Sequence, residues 1–157
     1  MFDDKYGVLF VCTGNICRSP TAEAIFRKLA TDAGMAGAVT ADSAGTHSYH
    51  VGEPPDPRAQ AAAAKRGYDL SALRARRIEG ADFQRFDLVL AMDQDHYAIL
   101  ARMAGAPASH KLKLMMSYAQ RFKERDVPDP YYGGPQAFER VLDLLEDAAT
   151  GLLRSLR

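Results

Sequence analysis

The stretch Val8-Leu9-Phe10-Val11-Cys12-Thr13-Gly14-Asn15-Ile16-Cys17-Arg18-Ser19-Pro20 decides how the rest of the chain is read. Gly7 to Cys12 is short, unbroken and apolar, the composition of a strand buried on both faces of a parallel sheet. Ser19 and Pro20 suit an N-cap and a first helical turn. Beyond them Ala22, Ile25, Phe26, Leu29 and Ala33 recur at helical spacing to about Gly34. A cysteine that ends a strand and an arginine that opens a helix form a cradle for an oxyanion. The loop's backbone N–H groups and the positive end of the helix dipole converge on one point. Arg18 adds a planar fork of donors matched to two phosphate oxygens. A thiol at the centre of such a cradle has its thiolate stabilised by the same donors. Cysteines in these settings titrate at roughly 3.5–7.5 instead of about 8.5. The chemistry implied is phosphate-ester hydrolysis through a cysteinyl-phosphate.

Outward from this segment, strand and helix patterns alternate. Ala38 to Ser43 is a second, weaker strand, and Gly45 to Pro57 is a loop marked by Gly52, Pro54 and Pro55. Asp56 is placed to cap a helix from Arg58 to about Arg66, closed by Gly67. Phe86 to Met92 is the third strand, and Asp93 stands where it would cap a helix from Gln94 to Met103. Lys111 to Met115 is a shorter fourth strand. The loop Asp126 to Gly134 leads into a last helix with Phe138, Val141, Leu142, Leu145, Ala149, Leu152 and Leu156 on one face. This order predicts a single α/β domain over 1–157, a parallel sheet covered by helices on both faces. Active sites of such sheets lie at the carboxyl ends of the strands, which is where Cys12 falls.

Bulk properties narrow the function classes. The chain has 157 residues, 47% hydrophobic and 25% charged, and its 20 basic and 20 acidic residues balance, so no global field recruits nucleic acid. The basic run Arg74-Ala75-Arg76-Arg77 reads as a solvated surface turn. No apolar stretch approaches the ~18 residues of a membrane span. Met1-Phe2-Asp3-Asp4-Lys5 lacks the pattern of a signal peptide, although secretion without a cleaved signal stays open. Two cysteines do not make a disulfide framework, and the expected compartment is the reducing cytoplasm. The histidines at 47, 50, 96 and 110 are scattered, so neither a metal set nor a cofactor is expected, and His47 and His50 read as solvated. Met103, Met115 and Met116 read as core filler.

A thiolate attacking a phosphate monoester expels a poor leaving group, so a general acid is needed, and the same group serves as base on the incoming water. Asp129, within Val127-Pro128-Asp129-Pro130-Tyr131-Tyr132, is the best candidate: two prolines stiffen the backbone around it and two tyrosines beside it offer an aromatic wall. Cys17 is either a small buried hydrophobe or a resolving thiol that traps an oxidised Cys12 as a disulfide. Tyr49 in the long loop can reach the rim of the site.

Taken together, Val11 to Pro20, Asp42-Ser43-Ala44-Gly45-Thr46, Phe86 to Asp93, and Asp129-Pro130-Tyr131-Tyr132 resemble a low-molecular-weight protein tyrosine phosphatase of bacterial type, collinearly from about residue 6 onward. The resemblance implies a doubly wound, flavodoxin-like, four-stranded parallel sheet and metal-free phosphotyrosine hydrolysis. It assigns Cys12 as nucleophile, Arg18 as phosphate clamp, Asp129 as general acid and Ser19 as hydrogen-bond donor to the thiolate. Thr13, Gly14, Asn15, Ile16 and Cys17 complete the phosphate loop, with Asn15 strained and held partly by Ser43. Cys17 matches the redox-protective cysteine, and Tyr49, Tyr131 and Tyr132 match positions that line the substrate groove. Many relatives carry a histidine in the Asn15–Ser43 network, where Leu73 stands here; either the network is shorter or the register slips across that loop. The implied partner is a tyrosine-phosphorylated protein, with a bacterial tyrosine kinase as one candidate. The implied state is a monomer or a weak dimer through Tyr131 and Tyr132.

Two other readings stay open at this stage. Arsenate reductases built on the same fold use a similar cradle, but they pass a disulfide along further thiols, and no cysteine follows Cys17 here. A phosphoprotein-binding module would use the cradle without turnover, and would have no use for a reactive thiol or an acid.

Overall fold

Val8, Leu9, Phe10 and Val11 are fully buried, and the sheet is organised around them. In the computed structural model, which describes residues 5–156, β1 (Tyr6–Cys12) pairs in parallel with β2 (Val39–Gly45) and with β3 (Leu88–Ala91). β4 (Leu112–Leu114) adds to β3, giving the order β2-β1-β3-β4. Side chains alternate across the sheet. Val8, Phe10, Cys12 and Leu90 join a core with α1 (Arg18–Asp32), α2 (Pro57–Lys65) and α5 (Pro135–Ser155). Leu9, Val11, Val89 and Ala91 join a second core that includes Phe83 of α3 (Asp82–Arg85) and Leu100 of α4 (Gln94–Ala108). The predicted α/β class, four-stranded parallel sheet and two helical layers are all present. No helix among the described residues is long and apolar enough to cross a membrane. The N-terminal residues 1–4, read above for targeting, lie outside the described residues.

Several boundaries and roles differ from the sequence reading, each for a physical reason. Cys17, not Ser19, occupies the N-cap of α1, because the Ser19 hydroxyl is engaged by Cys12 and Asn15. α3 was not foreseen: a single turn is too short to show periodicity, and it is held by the fully buried Asp82, which pairs with Arg76 and Arg85. α4 runs past Met103 to Ala108 through a kink at Gly105 (φ 66°, ψ −178°). Met103 itself is exposed and fills no core, whereas Met115 and Met116 are buried. The basic run is not merely solvated. Ala75 is buried, and Arg76 bridges Asp42 on β2 to Asp82 on α3. Asp56 caps α2 as expected, accepting from the Arg58 N–H at 2.8 Å.

The register brings Cys12 opposite Gly45, with Val11 opposite Ala91, so the carboxyl ends of β1, β2 and β3 share one edge. Gly45 is required there by close approach. A Cβ at this position would sit 2.6 Å from the Thr13 carbonyl oxygen and 3.2 Å from the Gly14 carbonyl carbon. Because both neighbours are backbone, Gly45→Ala is expected to displace the segment after Cys12 and to cost about 1–3 kcal/mol of stability. Chemical denaturation tests this, and a variant as stable as the wild type would show that the loop yields freely.

Candidate active site

After Cys12 the chain leaves the sheet, and its carbonyls turn outward. The Cys12 oxygen accepts from the Thr46 N–H at 2.8 Å and the Thr13 oxygen from the His47 N–H at 3.0 Å. The Ile16 oxygen accepts from the Asp56 N–H at 2.8 Å, and the Cys17 oxygen from the Thr21 hydroxyl at 2.6 Å. A trans peptide points its N–H opposite to its C=O, so the N–H groups of Thr13, Gly14, Cys17 and Arg18 face the concave side. Asn15 makes the tight bend possible with φ 59°, a conformation asparagine tolerates. Its side chain is buried and spans the loop: Nδ2 donates to Ser19 Oγ at 2.8 Å, and Oδ1 accepts from the Arg76 N–H at 3.0 Å. The expected tie to Ser43 is not made. Ser43 instead donates to the buried Glu23 carboxylate at 2.8 Å, and Leu73 packs against the core that α1, α2 and α5 share. Burial, opposed by the Ser43 hydrogen bond and by Arg27, raises the Glu23 carboxyl above its ordinary range.

Cys12 lies at the floor of the cleft, with Sγ 2.9 Å from Ser19 Oγ. Ser19 Oγ accepts from Asn15, and its own proton has two acceptors within reach, the sulfur at 2.9 Å and the Ala44 carbonyl at 3.4 Å. Arg18 is only 3% exposed, and its guanidinium is held along one side. Nη1 donates to Asp93 Oδ2 and to the Val127 carbonyl, both at 2.9 Å, and Nη2 reaches Thr13 Oγ1 at 3.4 Å. Asp93, foreseen as a helix cap, does cap α4, accepting from the His96 N–H at 2.8 Å, and anchors Arg18 with its other oxygen.

The Asp129 segment is pinned to the end of β3 by the Val127 N–H, which donates to the Met92 carbonyl at 2.8 Å. The Asp129 carboxylate accepts from the Tyr131 N–H at 3.1 Å and lies 3.8 Å from Arg18 Nη2, half exposed at the mouth. Tyr131 and Tyr132 meet edge to face at 5.0 Å, and Arg58 lies over the Tyr131 ring. Tyr49 faces them from the opposite loop, stacked on His47 at 5.0 Å. Thus Cys12, Thr13, Gly14, Ile16, Cys17, Arg18, Tyr49, Asp129, Tyr131 and Tyr132 line one cleft, while Asn15, Ser19 and Ser43 stand behind it. Burial pushes the Cys17 thiol far above its ordinary value, with Asp56 and Cys12 adding to the effect, so it stays protonated. Among the described residues no group of three or more His, Cys, Asp or Glu is arranged to hold a metal.

Sequence reasoning missed two residues. His50 is not simply solvated: it lines the cleft, with its ring 6.5 Å from Tyr131 and Nδ1 3.1 Å from Glu53. His96 is 3% exposed, with Nε2 2.7 Å from Thr13 Oγ1. Its place three residues after the Asp93 cap was a signal for the Asp93 contact, but nothing local pointed to Thr13. Burial first, and then the Arg18 charge, hold the imidazole down to about 4 from an ordinary 6.5. The folded value lies below the unfolded one, so the stability tied to this residue is complete above pH 6.5 and is lost as pH falls toward 4. Relative to His96→Gln, the wild type is expected to lose up to about 3 kcal/mol of unfolding free energy across that window. A pH-independent difference would mean that the imidazole titrates as an exposed one.

Comparison with known proteins agrees with this geometry. The family model for low molecular weight phosphotyrosine protein phosphatase matches residues 7–157. A low molecular weight protein-tyrosine-phosphatase of Streptomyces coelicolor is 49% identical over 155 residues, covering 97% of this chain and 94% of that protein. Among solved structures, a protein tyrosine phosphatase of Entamoeba histolytica with Hepes in its active site superposes with a TM-score of 0.95 at 40% identity, covering 97% of both chains. YfkJ of Bacillus subtilis does so with a TM-score of 0.91 at 40% identity, covering 97% of this chain and 94% of that one. The chain therefore belongs to the low molecular weight phosphotyrosine protein phosphatase family and is a phosphoric monoester hydrolase of the protein tyrosine phosphatase class.

Proposed function

We propose that the chain hydrolyses phosphotyrosine in two steps, with Cys12 as nucleophile, Arg18 as phosphate clamp and Asp129 as general acid and then base. The observation that carries this reading is the cleft itself: Cys12 Sγ at its floor beside Ser19 Oγ, with Asp129 and the Arg18 fork 3.8 Å apart above it. In the first step the Cys12 thiolate attacks phosphorus and forms an S–P bond. The P–O bond to the phenol breaks, and the departing oxygen takes the Asp129 proton. In the second, water attacks phosphorus and gives its proton to the Asp129 carboxylate, and the S–P bond breaks to return the thiolate. Concave N–H groups and Arg18 carry the charge on the three equatorial oxygens through both steps.

Tyr131, Tyr49 and His50 form facing walls suited to a flat aryl group. A serine phosphate has no ring to place between them. Ser19, supported by Asn15, donates to the sulfur when it is the leaving group. Cys17 completes the loop as a reserve thiol: peroxide oxidises Cys12 to a sulfenic acid, Cys17 displaces water from it, and the resulting disulfide is reducible. Both cysteines are free thiols, which supports a reducing, cytoplasmic place of action. The substrate is a tyrosine-phosphorylated protein, with a bacterial tyrosine kinase as one candidate. The exposed Tyr132 offers at most a weak contact between two copies.

Phosphate release from a phosphotyrosine and a phosphoserine peptide, in EDTA, tests the reading. Only the first is expected to turn over, and Cys12→Ser is expected to bind phosphate without turnover; hydrolysis by that variant would remove Cys12 as nucleophile. Asp129→Ala is expected to slow aryl phosphates with poor leaving groups by about 10²–10⁴ and activated ones far less. An equal loss across leaving groups would reassign Asp129 to substrate positioning. After peroxide, thiol treatment is expected to restore more activity to the wild type than to Cys17→Ser, and equal recovery would dismiss the protective role.

A further inference from the structure

Behind the phosphate loop, four side chains from two distant parts of the sequence close into a ring. Arg18 Nη1 donates to Asp93 Oδ2 at 2.9 Å, and Arg18 Nη2 reaches Thr13 Oγ1 at 3.4 Å. Thr13 Oγ1 in turn lies 2.7 Å from His96 Nε2, and His96 Nδ1 lies 3.1 Å from Asp93 Oδ1. The polarity of this ring follows from the charges around it. A guanidinium only donates, so Thr13 accepts from Arg18. Burial and Arg18 oppose protonation of the imidazole, and in the neutral ring the Asp93 carboxylate 3.1 Å from Nδ1 favours the one proton there, which leaves Nε2 to accept from the Thr13 hydroxyl. Nδ1 is off the line of a hydrogen bond there, and it is the one buried side-chain polar atom among the described residues without a hydrogen-bond partner. A solitary buried donor of this kind is tolerated where the other face of the group has a task.

We propose that His96 is a positioning residue for phosphate capture: by accepting the Thr13 proton it turns a Thr13 lone pair toward Arg18 and holds the guanidinium fork in its phosphate-binding plane. Without the acceptor, the Thr13 hydroxyl rotates toward other partners in the cleft, and Nη2 loses its inner contact. Nη1 remains tethered to Asp93 and Val127, so the fork pivots about that end and no longer presents two aligned donors. The assignment rests on the phosphatase reading for its kinetic consequence, but its effect on anion binding stands apart from turnover.

The experiment compares His96→Leu, His96→Gln, Thr13→Val and the Thr13→Val/His96→Leu double variant. Two readouts are taken: kcat and KM on p-nitrophenyl phosphate, and the affinity for inorganic phosphate of the same variants carrying Cys12→Ser. His96→Leu is expected to lower kcat and to weaken phosphate binding, each by about tenfold, the cost of one buried hydrogen bond left unmade. His96→Gln, whose Oε1 can accept where Nε2 did, is expected to regain most of both. The double variant is expected to lose no more than either single one, since both break the same link. Wild-type kcat and phosphate affinity in His96→Leu would overturn the assignment. So would equal losses in the Leu and Gln variants, because a residue that only fills space has no need of an acceptor. If no protein turns over substrate while His96→Leu loses and His96→Gln regains phosphate affinity, the positioning role stands and the hydrolase reading falls.

Discussion

Burying the Arg18 guanidinium in the same cleft as the Cys12 thiol is the constraint on which the rest of the molecule depends. A cation taken out of water is costly unless its donors are met. Here three of them are met, by Asp93 at the start of α4, by the Val127 carbonyl in the acid loop and by Thr13 in the phosphate loop. Two segments that are remote in sequence are thereby fixed, with the phosphate loop, to the first residue of α1. Because Val127 is also bound to the end of β3, neutralising Arg18 sets the height at which Asp129 hangs over the cleft. Charge burial and catalytic geometry are the same set of contacts.

The phosphate loop is supported from behind by main chain and by ion pairs. Its carbonyls are tied to the segments after β2 and before α2, and Asn15 reaches across to the Arg76 backbone. The Arg76 side chain is held in turn by Asp42 and Asp82, so the backbone donor that meets Asn15 is anchored on both sides. Leu73 contributes packing against the core. Ser43 and Glu23 form a separate buried pair with Arg27 alongside.

Most of the sheet was readable because its strands are apolar on both faces, and the helices because α1 and α5 repeat with clear period. That Cys12, Arg18 and Asp129 meet in one cleft was readable because those residue types are rare in that spacing. What escaped was set by contacts far apart in the chain. The bond between His96 and Thr13 spans 83 residues, and the Asn15 to Arg76 contact spans 61; no local pattern encodes either. Ser19 was misread as a cap because serine before proline is a common helix start, and only the fold shows that two neighbours claim its hydroxyl. The basic run from Arg74 was misread for the same reason: its acidic partners lie on β2 and α3.

The burial of Cys17 has a consequence for chemical probes of the site. Two sulfurs line the same cleft, which at first suggests two targets for an alkylating reagent. The Cys17 thiol, however, keeps its proton because burial and the neighbouring Asp56 oppose a negative charge there. Thiols in that condition are poor nucleophiles toward electrophiles. A warhead delivered by an aryl recognition group between Tyr49 and Tyr131 therefore meets a single competent sulfur, and selectivity between the two cysteines is built into the protein and need not be designed into the reagent.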